Sequence, residues 1–231
     1  ACRLAVLWRW LPENPCDRIL RPAYHATRRD LWTPDQLATF MKGIDRHWLE
    51  PLWVFLVVSG TRLGEALALE WADFDGTTVR ICRTGQYVRR LWTVTEPKTR
   101  AGTRALALPP DGVAALRRQR AQQAQWRLRS GGGWADAGLV FTGETGKPLQ
   151  GTVVAHAVQR ACRALGLPPV TPHGPRHLRA SLLLSQGVAV SAVSRRLGHA
   201  SPGITMSVYA HAIERDEGEV VEAIGRALAH R

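Results

Sequence analysis

The sequence predicts a mainly α-helical protein with one small three-stranded antiparallel sheet, which is an α+β class. Apolar residues recur at helical spacing over most of the 231-residue chain, and three short segments near its middle are rich in β-forming residues. Prolines and glycines separate these segments from one another. With 45% hydrophobic and 22% charged residues, the chain can bury a substantial core and is not disordered.

The first 30 residues differ in pattern from the rest. Apolar positions between Leu4 and Leu11 indicate the end of a helix, and prolines and arginines follow as in a linker. Because a helix end needs a packing partner, we expect residues 1–30 to be the end of a preceding domain and a linker. Residues 31–213 then form the main domain. Residues 214–231 carry an apolar stripe and are predicted to form a tail helix.

Helix boundaries are clearest at the start of the main domain. Thr33 fits the N-cap, Pro34 fits the first helical position, and Gln36 completes a capping box. The next helix carries the apolar run Leu52–Val58, which predicts full burial, and it ends at Gly60. Further helices are predicted at Leu63–Leu69, Val113–Arg129, Thr152–Leu165 and Pro175–Gln186, up to Leu197-Gly198, and from Ser201-Pro202 onward.

The middle of the chain predicts the sheet. Its three segments are short, contain β-branched and aromatic residues, and are bounded by turn residues. They are Thr77–Arg83, Leu91–Thr95 and Arg104–Leu108. Glu96–Thr103 is expected to be the turn that joins the last two strands.

Charge points to a polyanionic partner. The chain has 31 Lys and Arg against 19 Asp and Glu, a net charge of +12, which favours nucleic acid or an anionic membrane. The longest apolar run, Leu52–Val58, is too short to span a bilayer. The four cysteines lie far apart without metal-ligand spacing, so a reducing compartment is expected. Composition therefore predicts a cytoplasmic nucleic-acid-binding protein.

Arg62 and Lys98 are unusual for their settings. Arg62 follows a buried helix, and burying a guanidinium is costly unless an anion meets it. Glu65, one helical turn later, offers an ordinary i,i+3 salt bridge, and an external anion is the alternative. Lys98 lies in a basic turn and is one of only three lysines. Lysine gives up a proton more readily than arginine, so a proton donor and a solvated turn residue both fit.

Two histidines and a tyrosine stand near helix ends. His173 and Arg176 flank a predicted helix start, where exposed N–H groups favour an anion. His199 precedes the next helix start, and Tyr209 lies on that helix. Surface histidines and a half-buried packing tyrosine are the ordinary explanation. Their proximity to arginines favours a phosphate pocket, in which cations would stabilise a phenolate.

Taken in order, these motifs resemble the catalytic domain of the tyrosine recombinase (phage integrase) family. The resemblance covers about Thr33–His211 and rests on Ser59–Leu67 (SGTRLGEAL), Lys98, His173-x-x-Arg176 with His177, Leu197-Gly198-His199, and Tyr209. Each motif is common by itself, but five in order on the expected elements rarely arise by chance. One departure is Gly174-Pro175, where the family usually has an acidic or small residue and then an aliphatic one.

The resemblance implies DNA strand cleavage and rejoining by transesterification. The tyrosine would attack the scissile phosphate and form a 3′-phosphotyrosyl intermediate. The arginines and His199 would bind the non-bridging oxygens, the lysine would protonate the leaving 5′-oxygen, and His173 would orient the site or accept the tyrosine proton. The implied catalytic residues are Arg62, Lys98, His173, Arg176, His199 and Tyr209. Glu65 and His177 are expected in supporting positions, and Arg100, Arg104 and Arg179 are expected to contact DNA.

The resemblance also implies partners and context. The substrate would be double-stranded DNA, the preceding domain would bind DNA, and protomers would form a tetramer on paired sites. The tail helix would dock on a neighbour, and folding back on its own domain is the alternative. No cofactor, metal or membrane is expected, and a bacterial or phage mobile element in the cytoplasm is the expected source. A type IB topoisomerase and a catalytically silent DNA-binding module are the alternatives. Arm exchange between two sites separates a recombinase from a topoisomerase, and covalent DNA linkage separates either from a silent module.

Overall fold

A computed structural model describes residues 2–19, 32–97, 99–171 and 174–209. The chain divides into two compact units, residues 1–30 and 31–231. In the first unit, helix α1 (Cys2–Leu7) is followed by a 3-10 turn at Pro15–Arg18, where the Asn14 side chain accepts a hydrogen bond from the Cys16 amide. None of residues 2–19 is buried. The predicted short helix is therefore present, whereas its origin in a preceding DNA-binding domain stays a prediction. The predicted tail helix lies outside the described residues.

The second unit is mainly helical, as predicted. Among its described residues there are eight α-helices, and most begin and end within a few residues of their predicted bounds. They are α2 (Pro34–Gly43), α3 (Glu50–Ser59), α4 (Leu63–Leu67), α5 (Pro110–Ser130), α6 (Gly151–Ala164), α7 (Gly174–Ser185), α8 (Val190–Leu197) and α9 (Pro202–Tyr209). None of the described helices combines the length and the apolar character needed to cross a bilayer.

Local sequence explains the first two helices of this unit. The Thr33 hydroxyl accepts from the Gln36 amide at 3.2 Å, and the Gln36 side chain accepts from the Thr33 amide at 3.0 Å, which confirms the capping box. Helix α3 is buried from Pro51 to Leu56, while Val57 and Val58 are only half-buried. It ends at Gly60, whose φ of 68° is a left-handed conformation that suits glycine.

The sheet differs from its prediction, although small antiparallel sheets in a mainly helical unit confirm the fold class. The described residues form four strands: β1 (Thr78–Ile81), β2 (Thr84–Val88), β3 (Leu91–Thr95) and β4 (Arg104–Ala107). Strand β1 pairs with β4, and β2 pairs with β3, so the predicted single three-stranded sheet and the direct pairing of the last two strands are wrong.

Strand β2 went unpredicted because its sequence and its turn lack the usual signals. Gly85 and Gln86 are weak strand formers. The β2–β3 connection is the pair Arg89-Arg90, and both residues have positive φ, 48° and 68°. Tight hairpins ordinarily use Asn-Gly or Asp-Gly at such positions, and a pair of arginines carries no such signal.

Two hydrophobic clusters lie in this unit. The larger one contains the buried side chains of α3, α4, α6 and the β1–β4 pair. The smaller one joins α7, α8 and α9 through Ala180, Leu184, Val193, Leu197 and Tyr209. Most of the predicted site residues that the structure describes lie on or next to α4, α7, α8 and α9. Helices α7, α8 and α9 are the ones that form the smaller cluster.

Candidate active site

Four of the six predicted catalytic residues have described positions, and they influence one another electrostatically. Arg62 is the N-cap residue of α4, Arg176 lies in the first turn of α7, His199 follows α8, and Tyr209 ends α9. The charges of Arg62 and Arg176 both act on the pKa values of His199 and Tyr209. Distant segments of the sequence therefore meet at one site. The predicted residues Lys98 and His173, and the side chain of Arg100, lie outside the described part of the chain.

Glu65 is a buried carboxylate shared by two arginines. Its Oε1 accepts from Arg62 Nη1 at 2.8 Å, and its Oε2 accepts from Arg104 Nη2 at 2.8 Å and from the Arg62 amide at 2.9 Å. Burial by itself would raise the pKa of Glu65, but Arg104 and then Arg62 lower it below its usual value. The i,i+3 salt bridge expected for Arg62 is therefore present. The Arg62 side chain remains 40% exposed, which leaves room for a ligand.

The buried side chain of Arg104 forms hydrogen bonds to three segments of the chain. Besides Glu65, its guanidinium donates to the Arg196 carbonyl at 2.7 Å and to the Gly102 carbonyl at 3.0 Å, and its side chain is only 8% exposed. These contacts join α4, the turn before β4 and the end of α8. The sequence predicted Arg104 as a DNA contact, and that contact stays a prediction, while the structure shows its guanidinium donating within the protein.

Arg176 is buried against backbone carbonyls. Its Nη1 donates to the Gly60 carbonyl and its Nη2 to the Leu197 carbonyl, both at 2.7 Å, and the residue is 4% exposed. Within the described residues no carboxylate lies within 4 Å of its guanidinium. Burial, and then the charge of Arg62, lowers the pKa of Arg176 to about 10. Arg176 is therefore still a cation at neutral pH, and no carboxylate pairs with it directly.

His199 is a neutral imidazole with one fixed nitrogen. Its Nδ1 lies 2.8 Å from the Thr205 hydroxyl, on the first turns of α9. Burial, followed by the charges of Arg176 and Arg62, lowers the pKa of His199 to about 4. When Thr205 donates to Nδ1, the ring proton resides on Nε2. His199 can then donate a hydrogen bond from Nε2 without carrying a charge.

Tyr209 is buried and hydrogen-bonded. It is 1% exposed, and its hydroxyl lies 2.8 Å from His177 Nδ1. Burial raises the pKa of Tyr209, and the charges of Arg176 and Arg62 act in the opposite direction. The phenol is therefore protonated at neutral pH, and its proton has to leave before or during any attack by the oxygen.

Two further arginines lie nearby. Arg179, predicted to contact DNA, is half-buried on α7, and its Nε is buried without a hydrogen-bond partner. Arg196 donates to the carbonyls of Val58 and Ala107, both at 3.2 Å. Burial, and then the charge of Arg179, lowers the pKa of Arg196. The DNA contact of Arg179 stays a prediction.

Sequence reasoning missed Thr205 and the carbonyl acceptors of Arg176. Thr205 lies four residues before Tyr209 on α9, so both side chains share one face of that helix. That spacing is the signal by which Thr205 could have been found. The carbonyls of Gly60 and Leu197 leave no such signal, because every residue has a carbonyl. Across the described residues, no three His, Cys, Asp or Glu side chains form a group that could hold a metal.

Comparison with known proteins identifies the family. The profile of the phage integrase family matches residues 31–215. The chain therefore belongs to the phage integrase family, which confirms the resemblance inferred from its motifs. A relative in Caldanaerobacter subterraneus subsp. tengcongensis, a tyrosine recombinase XerC-like protein, is 26% identical over 235 residues. The match covers 93% of this chain and 60% of the relative.

Solved structures share the fold. The Tn1549 transposon integrase in complex with transposon right end DNA superimposes with a TM-score of 0.78 at 20% identity, covering 95% of this chain and 73% of that one. A lambda integrase tetramer bound to a Holliday junction gives a TM-score of 0.60 at 20% identity, over 93% of this chain and 57% of the other. The chain spans about 60% of the length of the curated relatives it matches.

Proposed function

We propose that the chain cleaves and rejoins DNA strands by transesterification through Tyr209, as part of site-specific recombination. The observation that carries this proposal is the convergence of Tyr209 with Arg62 and Arg176, whose charges both act on the phenol. A phenol is a poor nucleophile unless nearby cations stabilise its anion. Two guanidiniums, one partly exposed and one without a carboxylate partner, meet that need and attract a phosphodiester.

The proposed reaction forms one phosphorus–oxygen bond and breaks another. The Tyr209 oxygen attacks the scissile phosphorus, and the bond to the 5′-oxygen breaks to leave a 3′-phosphotyrosyl link. Arg62, Arg176 and the Nε2 proton of His199 stabilise the charge that develops on the non-bridging oxygens. Lys98 protonates the leaving 5′-oxygen. Attack by a 5′-hydroxyl of a partner strand reverses these steps, so the reaction needs neither ATP nor a metal.

The remaining predicted residues take supporting positions in this proposal. Glu65 aligns Arg62, because it accepts both from the Arg62 side chain and from its amide. Arg104 holds Glu65 and fixes the turn before β4 through the Gly102 carbonyl. Arg104 therefore acts through Glu65 rather than through DNA. Arg100 and Arg179 are proposed to contact DNA phosphates, and His173 to orient the site.

The proposed substrate is double-stranded DNA within a larger assembly. The net charge of +12 favours a polyanion, and the Tn1549 and lambda integrases whose fold this chain shares were solved with DNA. Residues 31–213 are proposed as the catalytic domain, residues 1–30 as the end of a DNA-binding domain, and residues 214–231 as a tail that docks on a neighbour. Assembly into a tetramer on paired sites, in the bacterial cytoplasm, completes the proposal.

A covalent adduct tests the proposal. The protein is incubated with nicked duplexes that carry candidate attachment sites, and adducts are resolved on a denaturing gel before and after protease. We expect Tyr209→Phe to abolish the adduct while DNA affinity in a gel shift stays largely the same. Tyr87→Phe is the matched control, since the Tyr87 hydroxyl donates only to the Pro148 carbonyl at 3.2 Å and should leave the adduct intact.

Two results would contradict the proposal. An adduct that survives Tyr209→Phe removes Tyr209 as the nucleophile, and DNA binding by the wild type without any adduct indicates a silent module. A further assay with two sites separates recombination from relaxation. A recombinase exchanges arms between sites, whereas a type IB topoisomerase relaxes the plasmid without exchange. The recombinases and integrases among the relatives favour exchange.

A further inference from the structure

The geometry points to His177 as the group that accepts the proton of Tyr209 during strand cleavage. This inference rests on the proposed function, since it assigns a step within that reaction. Tyr209 Oη and His177 Nδ1 are 2.8 Å apart. Among the described residues, this is the hydrogen bond that the structure gives to the Tyr209 hydroxyl. A proton acceptor has to lie within about 2.6–3.2 Å of the oxygen it deprotonates, and His177 meets that requirement.

The positions of Arg176 and His177 on α7 explain why their side chains contact different groups. The two residues are adjacent, so their side chains leave the helix about 100° apart. Arg176 reaches the carbonyls of Gly60 and Leu197, while His177 faces α9. The ring centroids of His177 and Tyr209 are 5.6 Å apart with planes inclined by 50°, so the rings meet through the nitrogen and the hydroxyl rather than by stacking.

Two other acceptors in the described part of the site, Glu65 and His199, are already engaged. The carboxylate oxygens of Glu65 accept from Arg62 and Arg104. His199 Nδ1 contacts Thr205, so its remaining nitrogen carries the proton when Thr205 donates. Burial keeps the phenol protonated at neutral pH, so its proton needs a destination at the moment of attack.

The step balances without an added reactant. As Tyr209 Oη forms its bond to phosphorus, the phenolic proton passes to His177 Nδ1, and the ring becomes an imidazolium. The bond between phosphorus and the 5′-oxygen breaks, and Lys98 supplies the proton to that oxygen. On rejoining, the imidazolium returns its proton to the departing Tyr209 oxygen.

Among the described residues, the charged groups that act on Tyr209 are Arg176 and Arg62, and His199, Arg104 and Glu65 interact in turn with these arginines or with His177. Arg176 has a pKa of about 10 and His199 of about 4, and the pKa of Glu65 is lowered from 4.5. Arg176, Glu65 and His199 therefore keep one charge state between roughly pH 6 and pH 9. Imidazole ordinarily titrates near pH 6.5. A rise in cleavage rate over that range is expected to report a histidine that must be neutral.

The test compares His177→Asn with the wild type on the nicked duplex. The asparagine amide oxygen takes the place of Nδ1 and accepts from Tyr209, but it cannot take up a proton. We expect the rate of adduct formation to fall by roughly 10²-fold or more, with DNA affinity and melting temperature near wild type. The rise of the rate with pH should disappear. His177→Ala, which removes both acceptor and contact, gives a second variant with the same expectation for rate and pH profile.

His47→Asn is the matched control. His47 is also half-buried, and its Nδ1 accepts from the Leu49 amide at 3.1 Å, far along the chain from the proposed site. This variant should keep the wild-type rate and pH profile. His173→Asn provides a comparison inside the proposed site, since it is expected to slow the reaction while the rise of the rate with pH remains.

Each contrary outcome overturns the inference in a distinguishable way. A wild type that forms no adduct refutes the proposed function, and the role of His177 falls with it. A normal wild type with an unchanged His177→Asn rate and pH profile refutes only the role of His177. Faster cleavage by His177→Asn would mean that the hydrogen bond restrains Tyr209. Loss of the pH dependence in His173→Asn alone would assign the proton to His173.

Discussion

Two arginines of this protein, one buried and one half-buried, are held in opposite ways. The half-buried Arg83, in the β1–β2 connection, donates twice to Asp73 at 2.8 Å and also pairs with Glu70. Arg176, at the start of α7, donates to two backbone carbonyls and to no carboxylate within the described residues. Both guanidiniums donate hydrogen bonds through Nη1 and Nη2. Only Arg83 has its charge neutralised.

Their pKa values follow this difference. Burial by itself would lower the pKa of Arg83, but Cys82, Asp73 and Glu70 together raise it above its usual value. For Arg176, burial and the charge of Arg62 lower the pKa to about 10, and Glu65 opposes the shift only in part. A carbonyl satisfies an N–H group without cancelling the charge on the guanidinium. Carbonyl acceptors therefore fix an arginine in place and leave its charge for an external anion.

The site as a whole keeps an excess of positive charge. Among the described residues, three guanidiniums, those of Arg62, Arg104 and Arg176, interact with the one carboxylate of Glu65. Two positive charges therefore remain, whereas the Arg83 cluster has more carboxylates than guanidiniums. Buried excess charge is costly unless a ligand meets it. This contrast marks the first cluster as a site for an anion and the second as a structural ion pair.

The strongest test of this contrast replaces each arginine by lysine. Arg176→Lys retains a positive charge but cannot donate to two carbonyls and also clamp a phosphate bidentately. We expect adduct formation on the nicked duplex to fall by roughly 10²- to 10³-fold, the usual effect of removing one donor to a developing oxyanion. Arg83→Lys should lower the melting temperature while the folded protein cleaves at the wild-type rate.

Single-turnover rates, measured below the melting temperature of each variant, decide this comparison. If both variants lose cleavage equally, the acceptor type does not distinguish a functional arginine from a structural one. If Arg176→Lys cleaves normally, a point charge suffices at that position. In either case it would be wrong to assign a functional role to Arg176 and a structural role to Arg83 from the type of acceptor that each contacts.

Glu65 is the carboxylate on which the two remaining site arginines depend, and its removal is expected to have the next largest effect. Glu65→Gln leaves the buried Arg104 and the partly exposed Arg62 with a neutral partner, and breaking a buried pair such as Arg104–Glu65 costs about 3 kcal/mol or more. Asp136→Asn is the control, because Asp136 pairs with Arg127 at 3.2 Å with both side chains more than half exposed, and such pairs contribute about 0–1 kcal/mol. Urea denaturation at pH 7 measures both.

The pH dependence of stability gives Glu65 a second signature. Its folded pKa lies below the ordinary 4.5, so its contribution is present above the unfolded pKa and is lost as pH falls through the folded pKa. The free energy of unfolding of the wild type should therefore decrease below about pH 4.3. The free energy of unfolding of Glu65→Gln should be lower than that of the wild type at pH 7, and it should decrease less as the pH falls. Equal decreases in both proteins would show that Glu65 is not responsible.

Local interactions were predictable from the sequence, and long-range ones were not. The Thr33–Gln36 capping box and the Arg62–Glu65 pair each join residues three positions apart, and both are present. The contacts of Arg104 join residues 39 and 92 positions away, and no periodicity signals them. The sequence predicted Arg104 only as a DNA contact, and its burial and its contacts with Glu65 and Arg196 went unpredicted.

The family motifs predicted which residues meet, but not how they are held. The order of Arg62, Arg176, His199 and Tyr209 along the chain pointed to one site, and the structure brings these residues within electrostatic reach of one another. The hydrogen bond between Tyr209 and His177 depends on the angle between α7 and α9. That angle is set by the packing of the smaller hydrophobic cluster, which is a property of the folded chain.

The smallest expected effect concerns Gly198, which follows α8 and precedes His199. Its φ of 69° favours glycine, and a Cβ there would lie 2.7 Å from Arg104 Nη1 and 3.0 Å from the Ala101 carbonyl. Gly166 has a similar φ of 65°, but a Cβ there would meet nothing within 4 Å. Alanine at either position therefore carries a similar backbone cost of about 1 kcal/mol. Only Gly198→Ala also displaces Arg104.

We expect Gly198→Ala to lose about 1–2 kcal/mol more stability than Gly166→Ala, and to slow adduct formation as well. The added loss arises because Arg104 must move away from Glu65, which in turn releases Arg62. Combining Gly198→Ala with Glu65→Gln should then cost less than the sum of the two single changes, since both disrupt the same contact. If the losses of stability in the two single variants simply add in the double variant, Gly198→Ala strains only the backbone. The Glu65 carboxylate and the loop before His199 would then be independent of each other.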